Sequence, residues 1–279
     1  MSSKYEDELG LIVMDNCKEL GNKIDQNIMQ RRSKKDSFII PTNLVRFNNG
    51  EGKAVIEDSV RDKDLYIISD IGNHSMTYKM YGYSNHMGPD EHFMDIKRVI
   101  SAVRGQADRV TVVMPLLYES RQHRRKGRES LDCALALQEL QNLGVSTIVT
   151  FDVHDPNIQN AVPTSMSFEN FYPTNTILKE FIKNEEFDPE SVKFISPDTG
   201  AMDRAKYYAN MFQADVGMFH KRRDYSKIVD GKNPIVAHNY LGGNLEGETA
   251  IVIDDMIASG TSMLEVAADL KERGAKKCF

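Results

Sequence analysis

The run from Thr249 to Met263, Thr-Ala-Ile-Val-Ile-Asp-Asp-Met-Ile-Ala-Ser-Gly-Thr-Ser-Met, constrains the fold more than any other part of the chain. A strand-length apolar segment leads to two adjacent carboxylates, Asp254 and Asp255, then to a loop of small hydroxyl residues, then to a helical pattern. Backbone N–H groups at such a helix start, with Gly260 and the hydroxyls of Ser259, Thr261 and Ser262, can surround a phosphate monoester. Two carboxylates beside that phosphate would hold ribose hydroxyls directly or through a metal. An ordinary turn with a helix cap explains any single Asp or Ser here, but it does not explain the ordered string.

The rest of the chain repeats the alternation. Strand-length apolar runs occur at Leu11–Met14, Phe38–Ile40, Leu65–Ser69, Val110–Pro115 and Thr147–Phe151, with helical patterns at Glu91–Ala107 and Glu129–Leu143. It then starts again, with strands expected at Phe194–Ser196, Val216–His220 and Ala250–Ile253. Helices are expected at Ile177–Lys183, Ala201–Phe212 and Thr261–Arg273. Alternating strands and helices imply βαβ units and mainly parallel sheets. The fold class is therefore α/β with two tandem domains, residues 1–163 and 164–279, divided near Pro163 in the polar stretch Pro163–Asn170. Their similar size and pattern suggest duplication of one unit. Gly274 closes a helix and Ala275–Phe279 reads as the opening of a further strand, so the second domain is expected to be truncated at its C-terminus.

Bulk properties narrow the function. A net charge of −6 disfavours a general nucleic-acid binder. No segment approaches the roughly 18 consecutive apolar residues of a membrane helix. The acidic start of the chain lacks a signal-peptide layout. Cys17, Cys133 and Cys278 are too scattered for a zinc site or a disulfide framework. A cytoplasmic location is expected. One segment departs from the acidic trend: Arg121, His123, Arg124, Arg125, Lys126 and Arg128 crowd around Gln122 and Gly127. Such a run is either a solvated face or an anion site.

The 249–263 string resembles the phosphoribosyl diphosphate (PRPP) motif shared by type I phosphoribosyltransferases and PRPP synthetases, and does not choose between them. Other segments resemble the PRPP synthetase (ribose-phosphate diphosphokinase) family in its own order. Arg46-Phe-Asn-Asn-Gly-Glu51 is similar to the family's Arg-Phe-Ser-Asp-Gly-Glu, and Ser59-Val-Arg-Asp62 to its Ser-Val-Arg-Gly. Pro115–Arg124, centred on Arg121-Gln122, is similar to its Tyr-Ala-Arg-Gln-Asp-Arg loop. Phe151–Gln159 resembles Asp-Leu-His…Gln-Ile-Gln, Ile195–Gly200 resembles Ser-Pro-Asp-Ala-Gly-Gly, and His220–Arg223 stands at the Lys-x-Arg catalytic loop.

The resemblance implies two type I phosphoribosyltransferase-like domains that move diphosphate from ATP to ribose 5-phosphate. It implies an ATP site from Phe47, Asn49, Glu51, Arg121, Gln122 and His154, with part of the 46–51 segment reaching ATP across a subunit interface. Asp254, Asp255, Ser259, Gly260, Thr261 and Ser262 would hold ribose 5-phosphate, and Lys221 and Arg223 would be catalytic. Mg²⁺ would lie near His154 and Asp198, in a homo-oligomer of dimers, commonly a hexamer, with no nucleic acid or membrane partner. The chain departs from the family at Asn49 (an acid there), at His123 (Asp), at Ala258 (often Asp) and at Ser259 (Thr). The segment Asp70–Pro89 is longer than usual. Two rival readings are a PRPP-consuming phosphoribosyltransferase, which needs no such N-terminal half, and a non-catalytic regulatory paralogue, which would be expected to lose Lys221 and Arg223.

Overall fold

Strands of the first sheet, LGLIV and RVTVV among them, bury residues that point to either face, so they can be apolar on both. The computed structural model describes residues 8–223 and 235–279, which divide into two compact units between Tyr172 and Pro173. In the first unit the chain runs β1 (Leu9–Val13), α1 (Lys18–Arg32), β2 (Thr42–Arg46), β3 (Gly52–Ile56), β4 (Asp64–Ile68), β5 (Thr77–Met80) and β6 (Tyr83–His86). It continues through α2 (Pro89–Val103), β7 (Arg109–Val113), α3 (Asp132–Asn142), β8 (Thr147–Phe151) and β9 (Ser167–Phe171). Among the described residues the main sheet is ordered β1-β4-β7-β8-β9 and is parallel throughout.

Helix α2 illustrates the local causes. Pro89 opens it, and the Glu91 carboxylate accepts the Gly88 N–H at 2.8 Å, satisfying a donor that the helix start would leave unpaired. Phe93, Ile96, Val99, Ile100 and Val103 recur at helical spacing and are buried. They meet Ile12, Ile67, Val112 and Ile148 of the sheet and Leu137 and Leu140 of α3 in one core. Each such side chain contributes about 1.5–3 kcal/mol relative to exposure. The helix stops where Arg104 turns left-handed at φ 56°.

Several expectations are corrected. Phe38–Ile40 forms only an isolated bridge, Ile39 to Leu11, rather than a strand. The helix expected from Glu129 begins at Asp132, because Glu129 instead accepts the Lys126 N–H at 2.9 Å inside the preceding loop. The division near Pro163 moves to 172/173, because Ser167–Phe171 is the edge strand β9, paired with β8 from Thr147↔Ser167 to Phe151↔Phe171. Its polar alternation suits a strand with one neighbour and two half-wet faces. Two antiparallel hairpins, β2–β3 and β5–β6, and helix α1 were not anticipated.

The second unit runs α4 (Thr174–Asn184), β10 (Val192–Ser196), α5 (Met202–Phe212), β11 (Asp215–Arg223), β12 (Ile235–Leu241), β13 (Thr249–Val252), α6 (Thr261–Glu272) and β14 (Lys277–Cys278). Among the described residues its sheet is ordered β12-β11-β10-β13-β14, parallel except where β12 returns antiparallel to β11. Phe194, Tyr208 and Ile251 are buried in one core cluster with Leu178, and Ile195, Phe219, Val266 and Leu270 in another. From β10 the chain proceeds outward to β11 and then crosses back to β13 on β10's other side. That reversal makes the carboxyl ends of β10 and β13 the crevice where open α/β sheets place ligands.

Candidate active site

Both strands at that crevice end in carboxylates. β13 continues through Ile253, whose N–H bonds Ile195 O at 3.0 Å, and so delivers Asp254 and Asp255 beside the end of β10. Asp198 follows β10 by two residues; its Oδ1 accepts the N–H groups of Gly200 (2.8 Å) and Ala201 (3.2 Å). The sequence offered the Asp254–Asp255 pair and Asp198 in two separate motifs, and the sheet collects them. Burial first, then the hydrogen bond and charge of Asp255 and the charge of Asp198, push the Asp254 carboxyl up to about 6. The Asp255 N–H, donating to Asp254 Oδ1 at 2.9 Å, works in the opposite direction.

One cation enters this cluster unannounced by the sequence. Arg204, in the first turn of α5, brings NH1 to 4.0 Å from Asp255 Oδ1, with 14% and 7% of the two side chains exposed. Its signal was position alone: an arginine one turn into the helix that begins just past Asp198–Gly200.

The phosphate loop has the anticipated form. Gly260 sits at φ 77°, a backbone that suits glycine, and it turns the chain into α6 at Thr261. Ser259 Oγ and Thr261 Oγ1 lie 3.2 Å apart, and Ser259, Thr261 and Ser262 are exposed. Hydroxyls and unpaired helix N–H groups therefore face outward at the positive end of the α6 dipole.

Lys221 and Arg223 were expected in a loop. Their backbones instead lie in β11, opposite His238 and Ile235, with a bulge between Arg222 and Arg223. Their side chains lie outside the described residues, as does the backbone of 224–234.

In the first unit the basic run leaves the end of β7. Gln122 Nε2 donates to Ser130 O at 2.7 Å, closing the loop on itself. The Gln122 amide, expected to hold a ligand, also shapes the loop in this way. Arg121, Arg124, Arg125, Lys126 and Arg128 are exposed and form no ion pair among the described residues. His123 anchors the loop to the end of β8: its Nε2 lies 3.0 Å from Asp155 Oδ2, and its ring is tilted against that of His154 at 5.4 Å. Burial would raise the Asp155 carboxyl, but the Asn157 N–H, His123 and Arg124 outweigh it and hold it below the usual range.

The third element is the tip of the β2–β3 hairpin. Phe47 is 46% exposed there, with Lys53 Nζ 5.9 Å from its centroid. Asn49 Nδ2 donates to Glu51 Oε2 at 2.9 Å. No hydrogen bond or ion pair connects Phe47, Asn49 or Glu51 to Arg121 or Gln122 among the described residues. His154 belongs to the first unit and Asp198 to the second.

A divalent ion with hard-oxygen preference suits the second unit's donors. Carboxylates crowd there, and Asp254 is pushed upward by burial and by its acidic neighbours Asp255 and Asp198. Among the described residues no three acidic, His or Cys side chains form a ready cage. Such an ion would take one or two carboxylates, with the rest of its shell from ligand and water.

Comparison with known proteins places this geometry. The model for the N-terminal domain of ribose phosphate pyrophosphokinase matches residues 9–144, and that for the phosphoribosyl transferase domain matches residues 174–278. A ribose-phosphate pyrophosphokinase of Oceanobacillus iheyensis is 28% identical over 100% of this chain and 78% of its own length. The Bacillus subtilis protein of that name is 27% identical over the same shares. That of Staphylococcus saprophyticus is 29% identical over 84% of this chain and 66% of its own. The crystal structure of phosphoribosylpyrophosphate synthetase from Mycobacterium smegmatis superposes with a TM-score of 0.78 at 21% identity, covering 98% of this chain and 79% of that one.

Proposed function

The chain belongs to the ribose-phosphate pyrophosphokinase family, and from that premise we propose that it transfers diphosphate from ATP to O1 of ribose 5-phosphate, giving PRPP and AMP. The observation that carries this reading is the combination, in one chain, of that family's N-terminal domain and a transferase domain whose phosphate loop stands beside Asp198, Asp254 and Asp255. A transferase that merely consumes PRPP has no use for the first of these. A regulatory paralogue has no use for Lys221 and Arg223.

The residues divide the work as follows. Ser259, Gly260, Thr261 and Ser262, with the N–H groups of α6, hold the 5-phosphate. Asp254 and Asp255 accept hydrogen bonds from ribose hydroxyls and so aim O1. Arg121 and the neighbouring exposed cations hold the ATP phosphates, while Phe47 stacks on the base and Asn49 and Glu51 line its edge. The bond from O1 to the β-phosphorus forms as the bond from that phosphorus to the oxygen of the α-phosphate breaks. AMP departs, and the hydroxyl proton passes to water. Lys221 and Arg223 meet the charge that builds on the transferring oxygens, so catalysis is alignment plus electrostatic stabilisation.

Magnesium held through the phosphates, with Asp198 as a donor from the second unit, would neutralise charge on the transferring group. Among the described residues the hairpin tip forms no hydrogen bond or ion pair with Arg121 or Gln122 of the basic loop, which suits it to serve the ATP site of a second copy in a dimer-based homo-oligomer.

The test supplies the protein with magnesium, ribose 5-phosphate and ATP labelled in its β-phosphate. AMP and labelled PRPP should appear in equal amounts. ADP with ribose bisphosphate would sink the assignment.

A further inference from the structure

The extra segment Asp70–Pro89 has no task in the reaction as described, yet it lies against the part of the first unit expected to grip the base. It folds as the β5–β6 hairpin, whose turn residues Tyr81 and Gly82 both have positive φ, 50° and 85°. That is the mirror-image two-residue turn that matches strand twist. The hairpin touches the base-recognition tip at three levels. The Tyr81 N–H donates to Asn48 O at 2.8 Å. Met80 Sδ lies against Gly50, where a β-carbon would come within 2.8 Å of it, and Gly50 has φ 90°. The Tyr78 ring faces the Arg46 guanidinium at 5.3 Å, while Arg46 is also held by Asp95 at 2.7 Å.

A cavity of about 440 Å³ opens between the end of β1, the β2–β3 hairpin, the extra segment and α2. Its walls include Asn16, Arg46, Asn48, Tyr78, His92 and Asp95. Where the hairpin spans this hollow, the contacts at Tyr78, Met80 and Tyr81 are what tie it to the tip. Arg46, gripped by Asp95 and covered by Tyr78, holds the base of the tip. Asn48 and Gly50 hold the tip itself. Phe47, Asn49 and Glu51 lie between those fixed points.

We propose that the β5–β6 hairpin is a positioning element that holds the 47–51 tip in its base-binding conformation and thereby sets affinity for the nucleotide, with Tyr78 and Met80 as its working side chains. This rests on the assignment of Phe47, Asn49 and Glu51 to the base. A preformed tip binds without an ordering cost; a loosened one must be ordered by the ligand. Neither Tyr78 nor Met80 need touch substrate, so the effect falls on ATP binding and leaves the chemical step alone.

The test compares the full chain with the Tyr78→Ala/Met80→Ala variant, and with Tyr83→Ala as a control on the same hairpin, 77% exposed. Hydrogen exchange at the Phe47 and Gly50 amides, which close the tip through Glu51 O (2.7 Å) and Phe47 O (2.9 Å), reads the support directly. Exchange there should speed up about tenfold in the double variant and stay unchanged in the control. KM for ATP should rise about tenfold, with kcat and the KM for ribose 5-phosphate within about twofold. Unchanged exchange in a folded double variant overturns the supporting role. Faster exchange with an unchanged KM for ATP overturns the base assignment on which the proposal rests. Equal losses for both substrates would make the hairpin a general scaffold and overturn it as well.

Discussion

His123 and Asp155 lie on opposite sides of a helix and a strand in sequence, and the fold brings His123 Nε2 to 3.0 Å from Asp155 Oδ2. The contact fastens the basic loop after β7 to the segment after β8, with the His154 ring 5.4 Å from that of His123. It matters because this chain has a histidine where the family it resembles has an aspartate, and an aspartate here would face Asp155.

The expectation is that His123→Asp repels Asp155 and lifts the loop, raising KM for ATP about tenfold. Asp155→Asn in the same chain should recover part of the loss. In a double-mutant cycle the pair should show a coupling of roughly 1–2 kcal/mol. Additive effects would show that the contact is incidental.

Asp255→Asn should weaken use of ribose 5-phosphate far more than of ATP. The carboxylate lies beside Arg204 at the mouth of the phosphate loop, in the second unit, whereas the basic loop belongs to the first. A rise of about tenfold or more in KM for ribose 5-phosphate, with KM for ATP nearly unchanged, is expected. Unaltered kinetics for the sugar phosphate would remove Asp255 from the site.

Asp254 predicts a pH signature. Its folded-state pKa, about 6, is above the ordinary aspartate value of 3.8, so the native protein binds the proton more tightly than the unfolded chain. The favourable contribution is complete below about pH 4 and is lost as pH rises through 6. Asp254→Asn keeps an oxygen to accept the Asp255 N–H but carries no charge. It should therefore raise Tm at pH 7.5 in EDTA, with the gain fading by pH 4. Thermal melts across that range, in which the gain persists at low pH or is absent at high pH, would contradict the burial and crowding of a charged Asp254.

Lys221→Ala and Arg223→Ala should each lower kcat by about a hundredfold while ATP affinity stays nearly intact, because their contacts strengthen as charge develops. Single-turnover rates set against equilibrium nucleotide binding make the comparison. Parallel losses in both would mark them as ordinary ligand contacts.

Much of this protein was legible in consecutive residues. Thr147–Phe151 is a strand with the boundaries read from its apolar run, and α6 begins at Thr261 as expected. The 249–263 string carried its own strand, acid pair, loop and helix. Such features are local: burial on both faces leaves a continuous apolar run, helical burial leaves a 3.6-residue period, and a phosphate loop needs its glycine and hydroxyls side by side. What local signals did not carry was whatever depends on pairing. Ser167–Phe171 looked like a linker because an edge strand with two half-wet faces has no apolar run. The hairpins escaped notice because their residues are mostly polar, and the turn at Tyr81-Gly82 lacks the usual Asn or Asp.

The sequence by itself therefore determined an α/β chain in two parts, with the phosphate loop in the second and a cationic loop in the first. Only the tertiary structure decided that Asp198 joins Asp254 and Asp255, that Arg204 faces them, that His123 ties the basic loop to Asp155, and that the 70–89 segment lies against the 46–51 tip. The physical reason is strand order. Which carboxyl end lies beside which follows from how whole helices and strands bury their apolar faces together, and that is a property of the packed chain rather than of any stretch of it.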